Sequence, residues 1–165
     1  TALSEKVRVF RVGGASRAET VRNGVSVLLE QGLAEAQDNI LVHDAARCCL
    51  PAEALTRLLD EAGENDEGGI LAIPVADTLK RADGSHHIDE TVARAGLWQA
   101  QTPQLFQTAL LNRALSVDDL SEITDEASAV EKLGIRPRLV QGDTRNLKLT
   151  LPQDEYIVRL LLKAV

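Results

Sequence analysis

Short apolar runs of strand length alternate along this chain with segments whose apolar residues recur at helical spacing. The connections between the runs are long enough for crossovers over a sheet. This alternation predicts an α/β fold with a mostly parallel sheet. The strand-like runs lie at residues 7–12, 39–43, 69–75, 97–101, 136–140 and 146–150.

Capping residues predict where several helices begin and end. Ser16 and Glu19 have the spacing of a capping box before the first helix. Pro51 suits the first turn of a second helix, and Gly63 is suited to end it. Further helices are predicted at 105–115, from 124 to 134, and from 152 onward.

A polar stretch after the third run predicts a protruding two-stranded arm. Asp83-Gly84 in its middle is a hairpin-turn signal, and charged and hydroxyl side chains flank that turn. We expect the arm to occupy residues 78–94. The rest of the chain shows no repeat and no linker, so a single domain carrying this arm is the simplest organisation.

Charge and aromatic content argue against two broad classes of function. The chain carries 18 Lys and Arg residues against 25 Asp and Glu, a formal charge of −7, which disfavours binding of nucleic-acid phosphates. Aromatic residues make up 2% of the chain, too few for a base-stacking platform. No apolar run approaches the roughly 20 residues of a membrane span. We expect neither a nucleic-acid nor a membrane partner.

The two cysteines are sequence neighbours, Cys48 and Cys49. Adjacent cysteines rarely form a disulfide with each other, so we expect free thiols and a cytoplasmic location. Either thiol could be a nucleophile, although most free cysteines are small buried hydrophobic residues.

Polar residues follow the strand-like runs at points that a parallel sheet brings to one edge. Gly13 and Gly14 precede a helix and could present backbone N–H groups to an anion. Glycines, hydroxyls, carboxylates and cations at one edge suit a phosphorylated ligand with a divalent cation. The residues concerned are Gly13, Gly14, Arg17, Asp44, Arg47, Asp77, Thr78, Lys80 and Thr102.

Three local patterns leave alternatives open. His43-Asp44 could be the metal-binding pair of an HD phosphohydrolase, but that site needs further ligands on helices and this pair ends a predicted strand. His86 and His87 have some metal-ligand character, or are solvated in the hairpin. Lys148, between two leucines, faces either solvent or a phosphate pocket.

Taken together, the motifs resemble those of the 2-C-methyl-D-erythritol 4-phosphate cytidylyltransferase family of the non-mevalonate isoprenoid pathway. The matches keep their order over nearly the whole chain, and the set is specific although each short piece is not. The matching segments are Gly13-Gly14-x-x-Arg17-x-x-Thr20-Val21, Leu41-Val42-His43-Asp44-Ala45-Ala46-Arg47, Pro74-Val75-x-Asp77-Thr78-Leu79-Lys80-Arg81, Thr91-Val92-x-Arg94, Gly96-Leu97-Trp98-x-Ala100-Gln101-Thr102-Pro103-Gln104, Thr124-Asp125-Glu126-Ala127-Ser128 and Asn146-Leu147-Lys148-Leu149-Thr150.

The resemblance implies a Rossmann-like nucleotidyltransferase fold, with helices on both faces of the sheet and a homodimer joined by the hairpin arms. It implies an enzyme that transfers CMP from CTP to 2-C-methyl-D-erythritol 4-phosphate and releases pyrophosphate, with Mg²⁺ as cofactor. No covalent enzyme intermediate is needed, so catalysis would consist of positioning and charge neutralisation.

Matching positions carry the family's site residues over to this chain. Arg94 and Lys148 resemble the catalytic cations that position the attacking phosphate, with Arg94 acting in the partner subunit's site. The residues that would bind CTP are Gly14, Thr20, Asp44 and Ala45. Those that would line the pocket for the methylerythritol phosphate are Arg47, Thr78, Thr102 and Thr124. Thr20 stands where the family often has serine, and either hydroxyl makes the same hydrogen bond.

The family pattern also includes an early strand, a glycine-rich loop with an arginine, and a Pro-Lys-Gln stretch, and this sequence contains none of them. We therefore expect residues 1–165 to be the C-terminal portion of a single cytidylyltransferase domain. A polypeptide of these 165 residues alone is expected to be inactive.

Two other functions stay open at this point. A cytidylyltransferase for another polyol phosphate, such as ribitol 5-phosphate, would be built similarly. A non-catalytic dimerisation module would keep the hairpin arm but would not need the cations and carboxylate of the phosphate-facing set, namely Asp44, Arg47, Arg94 and Lys148.

Overall fold

The computed structural model describes residues 6–163 of the chain. The strands are β1 Asn39–Val42, β2 Gly69–Pro74, β3 Leu79–Ala82, β4 Ile88–Val92, β5 Trp98–Gln107 and β6 Arg138–Gln141. The main sheet has the strand order β1-β5-β2-β6, and β3 pairs with β4 in a second sheet. The helices are α1 Arg17–Glu30, α2 Ala52–Ala62, α3 Thr108–Leu115, α4 Glu126–Glu131 and α5 Asp154–Lys163.

The main sheet is mixed, which corrects the expectation of a mostly parallel sheet. Strand β5 runs antiparallel to both of its neighbours, β1 and β2, whereas β2 and β6 are parallel. The reason lies in the connection, because β5 follows β2 through the β3–β4 hairpin rather than through a crossover helix. Antiparallel neighbours need no crossover, and an apolar run does not reveal its direction.

Helices cover both faces of the sheet, as expected. Ile70 and Phe106 pack on one face with residues of α1, α3 and α4. Their neighbours in sequence, Leu71 and Leu105, point to the other face and pack against α2. Because successive side chains of a strand alternate between faces, the pairs 70–71 and 105–106 each serve two cores.

The predicted helix ends on α1 and α2 are confirmed. Ser16 is the N-cap of α1, and its hydroxyl accepts a hydrogen bond from the Glu19 backbone N–H at 3.1 Å. Pro51 and Gly63 flank α2. The capping box predicted for α1 is only half formed, because the Glu19 carboxylate accepts from the Ala15 backbone N–H rather than from that of Ser16. Helix α4 has a complete capping box, formed by its N-cap Asp125 and Ser128.

Two predicted strands are wrong. Residues 7–12 and 146–150 contain no strand in the described chain. The alternation at 7–12 lacks a partner strand among residues 6–163, and Val9 there is 82% exposed. The loop at 146–150 contacts a neighbouring loop through the Leu149 backbone N–H, which donates to the Ala46 carbonyl at 2.9 Å.

The boundary between β5 and α3 also differs from the prediction. Strand β5 continues through Thr102 and Pro103 to Gln107, and α3 begins only at Thr108. Pro103 falls where the β2–β5 register shifts, between the pairs Ile70–Gln104 and Ala72–Ala100. A proline is tolerated there because the irregularity does not require its missing N–H.

The predicted hairpin is present as β3 and β4, an antiparallel pair that forms a sheet of its own. Asp83 organises its turn by accepting hydrogen bonds from the backbone N–H groups of Ser85 and His87. Nearly all of its residues are exposed, including Ile88 at 67%. Among residues 6–163, no helix combines the length and apolar character that crossing a membrane requires.

Helix α2 provides a matched test of the packing. Leu58 is fully buried against the sheet, whereas its neighbour Leu59 is 44% exposed. We expect Leu58→Ala to lower the free energy of unfolding by about 2–5 kcal/mol, because it leaves a cavity. Leu59→Ala should change it by only about 0.5 kcal/mol. Urea unfolding of both variants measures the difference, and equal losses would contradict the packing of α2.

Candidate active site

A cavity of about 230 Å³ opens where β1 ends beside β5. Backbone from β5, the loop before α4, and the loop after β6 surround it. The wall is rich in charged and polar groups, and its lining residues are Arg17, Asp44, Arg47, Ala100, Gln101, Thr102, Gln104, Thr124, Asp125 and Lys148.

Strand register places Asp44 beside Thr102. Val42 pairs with Gln104 in the antiparallel β1–β5 ladder, so the residue two positions after Val42 lies opposite the residue two before Gln104. Accordingly, the Asp44 backbone N–H donates to the Thr102 hydroxyl at 3.0 Å. A shift of one residue in this register would bring a different side chain to the cavity.

His43 fixes the same hydroxyl from the other side. Its Nε2 lies 2.9 Å from the Arg47 carbonyl oxygen, which can only accept, so Nε2 is the donor. Its Nδ1 lies 3.0 Å from the Thr102 hydroxyl. His43 therefore links the end of β1 to the backbone that carries Arg47.

Asp44 lies between two cations. Its Oδ1 accepts from Arg17 at 3.0 Å, and its Oδ2 lies 2.9 Å from the Lys148 Nζ. Partial burial alone would raise the pKa of the Asp44 carboxyl, but the hydrogen bond from Lys148 and the charge of Arg17 outweigh it and hold the pKa below its usual range. Asp44 is therefore a carboxylate at neutral pH.

Arg17 makes a second and closer ion pair, with Glu126. Its two terminal nitrogens donate to the two Glu126 oxygens at 2.6 and 3.0 Å. Only 1% of the Glu126 side chain is exposed. Burial opposes the charge on Arg17, but the hydrogen bond and charge of Glu126 outweigh it and raise the Arg17 pKa.

Arg47 is held by backbone oxygens rather than by a carboxylate. Its guanidinium donates to the Asn146 carbonyl at 2.7 Å. Burial lowers the pKa of Arg47, and the charge of Asp44 only partly opposes this effect. Its buried Nε has no hydrogen-bond partner among residues 6–163. Because carbonyl oxygens do not neutralise its charge, the Arg47 guanidinium in the cavity wall can attract an anion.

The buried side chain of Asn146 fixes the loop that carries Lys148. Its amide donates to the Thr102 carbonyl at 2.8 Å and to the Gln101 side chain at 3.3 Å. The Gln101 amide in turn donates to the Asp143 carbonyl at 2.9 Å. Lys148, two residues beyond Asn146, is thereby positioned against β5 although its loop is not a strand.

The structure brings five of the predicted site residues to the cavity: Asp44, Arg47, Thr102, Thr124 and Lys148. It places Gly14 and Thr20 together near the start of α1, where the Gly14 N–H donates to the Thr20 hydroxyl at 3.0 Å. Ala45 follows Asp44 but is not part of the cavity wall.

Thr78 and Arg94 lie at the base of the hairpin, away from the cavity wall that the described residues form. Arg94 is exposed and donates to the carbonyl oxygens of Val75 and Ala76. Within this one subunit, these two predicted residues therefore do not join Lys148 and Asp44.

The ion pair between Arg17 and Glu126 is not predicted by the sequence. Arg17 is among the polar residues predicted at the sheet edge but has no specific role there, and Glu126 has no predicted role. Their contact spans 109 residues of sequence, so no local spacing could reveal it. The sequence does mark both Arg17 and Glu126 in one respect, because each occurs in a motif that carries the family resemblance.

The donor groups suit a metal ion held mainly by a ligand's own phosphates. Residues 6–163 contain no cluster of three or more His, Cys, Asp or Glu side chains that could hold a metal. Asp44 is the carboxylate between the cavity's cations, and Mg²⁺ commonly binds through one carboxylate together with substrate phosphates.

Comparison with known proteins identifies the family of the whole chain. The family model described as 2-C-methyl-D-erythritol 4-phosphate cytidylyltransferase (IspD) matches residues 2–164. A protein of that name from Neisseria gonorrhoeae is 72% identical over 160 residues, which cover 97% of this chain and 69% of the relative. A crystal structure of 4-diphosphocytidyl-2C-methyl-D-erythritol synthase matches with a TM-score of 0.92 and 69% identity, over 98% of this chain and 74% of that one. The Francisella tularensis IspD structure matches with a TM-score of 0.82 and 32% identity, over 90% of this chain and 69% of that one.

An α/β fold whose mixed sheet gathers cations and carboxylates beside the end of a strand is typical of the class of proteins that bind phosphorylated ligands. The order of the sequence motifs, the family match and the level of identity narrow that class to one group of nucleotidyltransferases. The chain belongs to the 2-C-methyl-D-erythritol 4-phosphate cytidylyltransferase family.

The charge arrangement around Asp44 predicts how its carboxyl titrates. Its pKa is lowered, so the stabilisation it contributes is complete above the unfolded-state value near 4 and is lost as pH falls through the folded-state value. Carboxyl carbon NMR should give a midpoint below that of an ordinary aspartate. Lys148→Ala should raise this midpoint, because it removes the hydrogen bond to Oδ2. An unchanged midpoint in the variant would show that Lys148 does not stabilise the carboxylate.

Proposed function

We propose that the protein that contains this chain catalyses the reaction for which the family is named, the transfer of CMP from CTP to 2-C-methyl-D-erythritol 4-phosphate. The observation that carries the proposal is the convergence of Asp44, Arg47 and Lys148 on one cavity. Family membership supplies the substrates, and the cavity supplies a cationic wall suited to phosphate groups.

The reaction forms one P–O bond and breaks another. An oxygen of the methylerythritol phosphate attacks the α-phosphorus of CTP in line, and pyrophosphate leaves with the bonding electron pair. Both reactants are anions, so the protein must bring like charges together and stabilise the charge that develops on the phosphoryl oxygens.

The proposed roles follow the chemistry of the cavity. Lys148 places its ammonium at the reacting phosphates, and Asp44 fixes that ammonium through the 2.9 Å contact. Arg47, whose charge no carboxylate neutralises directly, binds the methylerythritol phosphate together with the hydroxyls of Thr102 and Thr124, which line the same cavity. Asp44 and Ala45 lie beside the nucleotide.

Gly14 and Thr20 are proposed to bind the cytidine part of CTP. Both lie at the start of α1, where backbone N–H groups and the helix dipole favour polar ligand atoms. Mg²⁺, bound mainly by the CTP phosphates with Asp44 as the available carboxylate, would neutralise part of the triphosphate charge.

We further propose a homodimer in which the hairpin of each subunit reaches its partner. The β3–β4 sheet pairs with no other strand among residues 6–163, and Ile88 on it is 67% exposed. Burial of that surface against a second copy would carry Arg94 and Thr78 towards the partner's cavity. A cytoplasmic location is supported by the free thiols of Cys48 and Cys49.

Turnover tests the proposed function directly. With CTP, Mg²⁺ and methylerythritol phosphate, the protein encoded by its full gene should release pyrophosphate and form the CDP-alcohol. Lys148→Ala should lower kcat by about 10²–10³-fold, because it removes a cation at the transferring group. Lys132→Ala is the control, since Lys132 pairs with Glu122 at the surface. Faster turnover with ribitol 5-phosphate than with methylerythritol phosphate would overturn the proposed acceptor.

Mixing inactive variants tests the exchanged hairpin. If Arg94 acts in the partner's site, a dimer of one Arg94→Ala and one Lys148→Ala subunit has one site with both defects and one intact site. Equal mixing should then restore about a quarter of the wild-type rate, since half of the dimers are mixed and each has one of two sites intact. No recovery in mixtures that mass spectrometry shows to contain mixed dimers would place Arg94 in its own subunit's site.

A further inference from the structure

We propose that Glu126 is a positioning residue for the transfer reaction, acting through Arg17 and Asp44 on Lys148. The inference rests on the proposed function for its catalytic meaning, but its structural basis is a continuous chain of four charged groups. Their contacts are 2.6 Å from Glu126 to Arg17, 3.0 Å from Arg17 to Asp44, and 2.9 Å from Asp44 to Lys148.

Burial shows that Glu126 is the fixed end of this chain. Its side chain is 1% exposed, whereas those of Arg17, Asp44 and Lys148 are 34%, 15% and 46% exposed. Both Glu126 oxygens accept from Arg17. A carboxylate buried this deeply is stable only when it is paired, so the contact sets the plane of the guanidinium.

The orientation of Arg17 determines which of its N–H donors can reach Asp44. With two nitrogens committed to Glu126, its Nε donates to Asp44 Oδ1 at 3.0 Å. Asp44 is left with Oδ2 for Lys148. Glu126 thereby aligns the carboxylate that fixes the Lys148 ammonium at the cavity.

Glu126 also controls where the charge of Arg17 goes. Arg17 is part of the cavity wall and, without a buried partner, would be drawn to the phosphates of the ligand. The ion pair with Glu126 holds the Arg17 guanidinium in the cavity wall, so Lys148 and Arg47 are the cations left to bind the ligand. Glu126 therefore affects the reaction without touching the substrate.

The first test reads the position of Lys148 without any turnover. In Glu126→Gln, Asp44 loses its alignment and the Lys148 ammonium becomes more available to an amine-acylating reagent. Peptide mass spectrometry should show Lys148 labelling rise about two- to fivefold, the range that a partly exposed ion pair is worth. An unchanged labelling rate in folded Glu126→Gln would overturn the proposal.

Glu122→Gln is the matched control, because Glu122 pairs with a different lysine at the surface, Lys132, at 2.6 Å. It should speed the labelling of Lys132 and leave that of Lys148 unchanged. Arg17→Lys is a second route if Glu126→Gln does not fold. A lysine cannot replace the two-pronged contact with Glu126, so Lys148 labelling should rise there too, and no rise would contradict the chain of contacts.

The second test separates positioning from a purely structural role. Glu126→Gln should lower kcat by up to about a hundredfold, as misplacement of a catalytic group does, with KM for CTP within about threefold of wild type. In a protein that already carries Lys148→Ala, adding Glu126→Gln should lower kcat only slightly further, because the ammonium that Glu126 positions is already absent. Fully additive losses would show that Glu126 acts by another route. Absence of turnover in the wild-type protein would count against the proposed function, while the labelling result would still decide the role of Glu126.

Discussion

The carboxylate of Asp44 is shared between two cations that are far apart in the sequence, Arg17 and Lys148. This shared contact joins the start of α1, the end of β1 and the loop after β6. The stability of this contact also depends on Glu126, because the buried Glu126 carboxylate and the Arg17 guanidinium neutralise each other. The geometry of the cavity therefore depends on electrostatic pairing as much as on apolar packing.

Local chemistry allowed much of the fold to be predicted. Ser16 caps helix α1 because its hydroxyl accepts a hydrogen bond from the backbone N–H three residues later. Asp83-Gly84 forms a turn because the Asp83 carboxylate accepts a hydrogen bond from the backbone within the turn. What could not be predicted depends on partners distant in sequence. Residues 7–12 alternate correctly yet have no strand beside them in the described chain, and β5 owes its direction to the hairpin that precedes it.

The site shows the same division. Asp44, Arg47 and Lys148 could be predicted because each lies in a segment whose neighbours identify it. The contact between Arg17 and Glu126 could not be predicted, because it forms only when α1 and α4 pack into the same core. Arg94 is a different case: its motif marks it as functional, but a single subunit places it at the hairpin base, outside the cavity wall that residues 6–163 form.

Asn146 has a consequence for observing this protein in solution. Its side-chain amide is fully buried and donates to the Thr102 carbonyl and the Gln101 side chain, so its two protons are shielded from water. Such protons exchange only when the surrounding structure opens. The exchange rate of these two side-chain amide protons therefore reports how often the loop that carries Lys148 opens, and no substrate is needed to measure it.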